Sequence, residues 1–145
     1  MADGSHVPQR LTFVTLGTRD MARARAFYAS WGWTERDGGS DEFAQFDMGA
    51  VRFALYPLDL LGMEAAPGAA GPPAGWNGVA LAINVESRSA VDEAFRAATQ
   101  AGGLAVGPPV QREWGGYSAY VCDPEGQRWE IAWLPGFAGG EDVAT

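Results

Sequence analysis

The stretch "SAYVCDPEGQRWEIAWLPGF", Ser118 to Phe137, decides how the chain is read. Two runs rich in aromatic and β-branched residues, Tyr117–Val121 and Arg128–Trp133, flank Asp123-Pro124-Glu125-Gly126, a sequence suited to a tight turn. Side chains alternate across a strand. In the second run Trp129, Ile131 and Trp133 therefore share one face, and Arg128, Glu130 and Ala132 share the other. The bulky apolar row is made for a helix-packed core. The row with the carboxylate must face something else.

Working outward, the same grammar occurs twice. "RLTFVTLG", Arg10 to Gly17, reads as a strand. Asp20 then opens a helix with Met21, Ala24, Phe27, Tyr28 and Trp31 at helical spacing, and Gly32 stops it. Strands are expected near Thr34–Arg36, Phe43–Asp47 and Val51–Tyr56, with Met48-Gly49-Ala50 turning between the last two. "APGAAGPPAGWN" lies in a segment rich in Ala, Gly and Pro that reads as a linker. After it "GVALAINV" is a strand, and Ser87 caps a helix carrying Val91, Ala94, Phe95, Ala98 and Ala101, ended by Gly102-Gly103. Further strands are expected near Leu104–Gly107, Tyr117–Val121 and Arg128–Trp133.

The expectation is an α+β fold of two tandem βαβββ modules forming a curved mixed sheet, helices outside and a hollow between the modules. The boundaries are a flexible N-terminal tail at 1–9, a domain at 10–135 and a C-terminal tail at 136–145. Within the domain, module one is 10–57, the linker 58–76 and module two 77–135.

Totals exclude several classes of function. The 145 residues are 47% hydrophobic, enough for a sizeable core, and the net charge of −8 argues against nucleic acid and anionic membranes. The single cysteine, Cys122, allows no intrachain disulfide and no cysteine-built metal site. No apolar run approaches the roughly 20 residues of a membrane span. The opening "MADGSHVPQR" lacks the basic start and apolar centre of a secretory signal, so a cytoplasmic protein is expected. The single histidine, His6, falls in that polar opening, which leaves serine or cysteine nucleophiles without an imidazole base.

The phrases "TLGTRDMARARAFY" (Thr15 to Tyr28), "GVALAINVESRSAVDEAF" (Gly78 to Phe95) and "WGGYSAYVCDPEGQRWEIAW" (Trp114 to Trp133) resemble the vicinal oxygen chelate superfamily. That superfamily includes glyoxalase I, extradiol dioxygenases and bleomycin-binding resistance proteins. The resemblance implies four metal-binding positions, usually His or Gln, Glu, His and Glu on the first, fourth, fifth and eighth strands. Here they fall on Phe13, Ala54, Gly78 and Glu130. Only Glu130 can ligate, and catalytic zinc usually takes about three protein ligands. The expectation is that metal ligands are lost and that no cofactor is used.

Alternation places Phe13 and Thr15, then Arg52, Ala54 and Tyr56, then Gly78, Ala80, Ala82 and Asn84 on the inward faces with Glu130. Small residues beside a few polar groups are the usual make-up of a ligand pocket. Aromatic side chains can stack on a planar guest. The candidate ligand-binding residues are Phe13, Thr15, Arg52, Tyr56, Trp76, Trp114, Tyr117, Tyr120, Arg128 and Glu130. For Glu130, anchoring a ligand donor and pairing with Arg128 or Arg52 stay open together. Asp123 and Glu125 read as solvated loop carboxylates, and Cys122 as a small buried residue.

The expected function is metal-free binding of a small, planar or amphipathic organic molecule in the inter-module cavity, as sequestration or natural-product chemistry. A metal-dependent glyoxalase-like lyase or extradiol-type dioxygenase is the alternative. A structural or regulatory module with a vestigial cavity is the second. A homodimer is expected, because the linker lets modules pair within a chain or swap between chains and dimers are the commonest symmetric assembly.

Overall fold

A computed structural model describes residues 7–69, 71 and 75–136. His6, positions 70 and 72–74 of the expected linker, and the C-terminal segment from 137 lie outside the described residues. The elements are β1 (Phe13–Thr18), α1 (Met21–Ala29), β2 (Ala44–Met48), β3 (Val51–Pro57), α2 (Leu58–Ala65), β4 (Ala80–Asn84), α3 (Arg88–Gln100), β5 (Leu104–Gln111), β6 (Tyr117–Cys122) and β7 (Arg128–Trp133). This is an α+β fold with two mixed sheets.

The duplication is visible in the strand order. One sheet runs β1-β3-β2 and the other β4-β7-β6-β5. In each, the first strand of the module pairs parallel with the last, β1 with β3 and β4 with β7, while the remaining neighbours are antiparallel. The expected strand near Thr34–Arg36 is not formed. That stretch contributes one backbone hydrogen bond, Arg36 N to Gln45 O at 2.8 Å, too little for a ladder. The expected linker also holds structure. Leu58–Ala65 forms α2 directly after Pro57, with Leu58 and Leu61 seated against Gly17 of β1.

By contacts the chain divides into two compact units, Met1–Met21 with Thr34–Pro67, and Ala22–Trp33 with Gly68–Thr145. Nearly all of α1 thus groups with the second unit, although it lies in the first module by sequence. The reason is aromatic. The Trp129 ring of β7 meets Tyr28 at 6.0 Å, Trp31 at 5.7 Å and Trp33 at 5.7 Å between centroids, and Tyr28 stacks on Trp33 at 5.2 Å. Trp31 also donates its Nε1–H to Ala94 O of α3 at 2.9 Å. Burying such rings removes much apolar area from water and gives edge-to-face contacts besides.

α3 begins as expected, Ser87 Oγ accepting from Ala90 N at 3.1 Å. β5 is the edge of the second sheet, and its register slips on both sides of Gly107. Pro108 and Pro109 lie in this strand, and an edge strand tolerates prolines that cannot donate to a ladder. Among the described residues no helix is long and apolar enough to cross a membrane.

Candidate functional site

The second sheet sets its faces by register. Glu130 of β7 pairs with Ala82 of β4 on one side and Tyr120 of β6 on the other, while Ala132 pairs with Asn84 and Ser118. Paired residues in neighbouring strands project to the same side. Trp129, Ile131 and Trp133 are buried on the opposite side, as alternation requires. Glu130 itself is half-buried.

In front of Glu130 lies a cavity of about 560 Å³ lined by Ala82, Asn84, Trp114, Tyr120, Glu130, Ala132 and Leu134. The alanines make its floor low, and the polar groups are one carboxylate, one phenol, one indole N–H and one amide. Trp114 is carried by the turn between β5 and β6, closed by Arg112 N to Gly116 O at 2.7 Å and Gly115 N to Arg112 O at 3.1 Å. Its ring lies directly against Gly116, where any Cβ would collide with the indole. Gly116 is thus what lets the ring lie where it does.

Tyr120 is held from two sides. Its hydroxyl pKa is pushed up, first by burial and then by the charge of Glu130 and a hydrogen bond to it. The Arg112 guanidinium lies 5.6 Å from its ring centroid. Arg112 is itself committed to Ser118, donating from Nε to Oγ at 2.7 Å and from Nη2 to the carbonyl at 3.3 Å.

Of the sequence-derived candidates, the cavity brings together Trp114, Tyr120 and Glu130. Tyr117 is on the other face, where its hydroxyl donates to Asp92 Oδ1 of α3 at 2.7 Å and raises its own pKa by that bond. Trp76 is 58% exposed and donates to Val79 O at 3.0 Å. Arg128 shares the Glu130 face but donates to Gly126 O at 3.0 Å and lies outside the lining.

Phe13, Thr15, Arg52 and Tyr56 belong to the first unit, where register places them on one face of its sheet with Gln45 and Asp47. There Arg52 donates to Asp47 Oδ1 and Gln45 Oε1, both at 3.2 Å, and sits 6.0 Å from the Phe13 ring centroid. Asp47 also pairs with Arg36 at 2.8 Å, and that hydrogen bond chiefly lowers its pKa. Tyr56 donates to Glu64 Oε2 of α2 at 3.2 Å, which raises its pKa.

Two residues escaped sequence reasoning. Leu134 follows from extending the Glu130–Ala132 alternation one step past the strand. Arg112 carried no signal, since its role depends on the turn that folds it back over Ser118. Asp123 corrects another expectation. It is 2% exposed rather than solvated, its Oδ1 accepting from Glu125 N at 2.8 Å and Gln127 N at 2.9 Å. Cys122 is buried, and burial pushes its thiol pKa up, so it is not poised as a thiolate.

A family model for the Glyoxalase/Bleomycin resistance protein/Dioxygenase superfamily matches residues 10–131. The chain belongs to that superfamily. Among solved structures it is similar to a glyoxalase-related enzyme from Fulvimarina pelagi, at 28% identity and a TM-score of 0.83, over 94% of this chain and 96% of that one. It is also similar to a glyoxalase/bleomycin resistance protein/dioxygenase from Nocardioides, at 26% identity and TM-score 0.71, covering 95% and 92%. A lactoylglutathione lyase from Agrobacterium tumefaciens shares the fold at 20% identity and TM-score 0.63, covering 88% and 95%. No curated protein matches the chain.

The metal that the superfamily implies can be tested against these side chains. Phe13 offers a phenyl ring, Ala54 a methyl and Gly78 a hydrogen, none with a lone pair, and Glu130 is a single carboxylate. Among the described residues no three His, Cys, Asp or Glu side chains cluster as a metal site would need. The four positions do not fit a chelated divalent ion.

Proposed function

We propose that this chain binds a small, planar or amphipathic organic molecule in the cavity in front of Glu130. The observation that supports it most is the lining: about 560 Å³ of space over alanines, with a carboxylate, a phenol and an indole converging on it. Space of this size beside a few directed polar groups suits a small ligand. Trp114 offers a flat face, and Glu130 and Tyr120 fix orientation. Binding of this kind serves sequestration, or presents a guest for chemistry that does not draw on the four metal positions.

The test is tryptophan fluorescence during titration with a panel of aromatic compounds, on the wild type and on Trp114→Phe. The expected result is saturable quenching in the wild type, with much of the signal gone in the variant. Silence of the wild type across the panel would favour a non-catalytic structural role.

A further inference from the structure

The formal charge of the cavity lining is that of Glu130 alone. Asn84, Tyr120 and Trp114 are its other polar members, and no arginine belongs to it. The nearby guanidiniums are turned to other acceptors. Arg128 donates to Gly126 O and Arg112 to Ser118. Arg36 and Arg52 pair with Asp47 within the first unit, at 2.8 and 3.2 Å.

This matters once a guest displaces water. A carboxylate walled in by an organic molecule loses hydration, and an opposite charge or a strong donor must replace it. A neutral apolar guest leaves that loss uncompensated. An anionic guest adds repulsion. A cation offsets it, and the Trp114 face beside Glu130 attracts cations through its ring quadrupole. The net charge of −8 draws cations toward the molecule as a whole.

We infer that the ligand of this cavity is an organic cation, an aromatic or amphipathic amine or amidine whose charged nitrogen donates to Glu130 and whose flat body lies against Trp114. Tyr120, paired in register with Glu130, lines the cavity beside it. The inference rests on the cavity being the binding site and adds the class of guest.

The experiment compares three probes of one shape: 2-naphthylmethylammonium, 2-naphthylmethanol and 2-naphthoate, titrated calorimetrically into the full chain. The ammonium is expected to bind at least about tenfold more tightly than the alcohol, the naphthoate least, and added salt is expected to narrow the gap. In Glu130→Gln the preference for the ammonium over the alcohol should shrink to about twofold or less. The comparison within the wild type needs no variant to fold. Alcohol or naphthoate binding as tightly as the ammonium would overturn the inference while leaving the cavity as a binding site. Silence of all three, where other aromatics of the panel bind, would do the same. Silence of every compound would bring down both readings.

Discussion

Tyr28 donates its hydroxyl hydrogen to Asp123 Oδ2 at 2.6 Å across 95 residues of chain, and Trp129 Nε1 donates to the same hydroxyl at 3.0 Å. One phenol therefore ties α1 to the turn before β7 and to the strand that carries Glu130. Asp123 meanwhile holds the turn by accepting from Glu125 N and Gln127 N, and Gly126, at φ 94°, closes it with its N–H on Asp123 O at 3.0 Å. The carboxylate that anchors the turn and the carboxylate in the cavity are seven residues apart and do different work.

Replacing Tyr28 with Phe keeps the ring but removes the donor to a buried carboxylate and the acceptor of a buried indole. Leaving buried polar groups unsatisfied costs about 1–3 kcal/mol. Urea denaturation is expected to show a loss of that size with little change in slope. Unchanged stability would mean that water or another side chain substitutes freely.

Asp123 gives a pH signature. Burial, acting first, raises its pKa above the ordinary 3.8, while the bonds from Tyr28, Gln127 and Glu125 pull the other way without cancelling it. A raised folded-state pKa means that the folded chain holds this proton more tightly than the unfolded one. Its contribution is full below the ordinary carboxylate value and is lost as pH rises through the folded value. Melting temperatures of the wild type and Asp123→Asn are therefore expected to shift in favour of the variant as pH climbs through this range. A gap that is constant with pH, or that moves the other way, would contradict the burial-dominated account.

Gly116 is predicted to matter to binding through Trp114. An added methyl must push the indole off its seat, and the ring is a side chain that can move. Gly116→Ala should therefore weaken aromatic guests by about tenfold, equivalent to about 1.4 kcal/mol, with a small effect on melting. Equal affinity for wild type and variant would remove Trp114 from the site.

The homodimer expected from the long connection between modules is checked by light scattering at micromolar concentration. A mass twice that of the chain is expected. A monomeric mass would set the expectation aside.

The second module was the more legible part of the chain. The alternation of "RWEIAW" separated Glu130 from Trp129, Ile131 and Trp133, and Ser87 marked its helix cap, because both signals are local. The failures were of three physical kinds. Leu58–Ala65 holds good helix formers after Pro57, but the Ala-Gly-Pro run that follows masked them. Tyr117 and Tyr120 are three residues apart, so alternation sends them to opposite faces and only Tyr120 meets Glu130. Asp123 looked solvated because its main partner, Tyr28, lies in another module, and long-range pairing leaves no local trace.

The space in front of Glu130 is the proposed binding site. Ala82 forms part of its wall and pairs with Glu130 in register, so Ala82→Trp would fill it. Calorimetric titration of the wild type and this variant with the same aromatic panel is the most direct measurement. Saturable one-to-one binding to the wild type, abolished in a variant that still melts cooperatively, is the predicted result. Binding of equal strength by the filled variant, or none by the wild type, would contradict it.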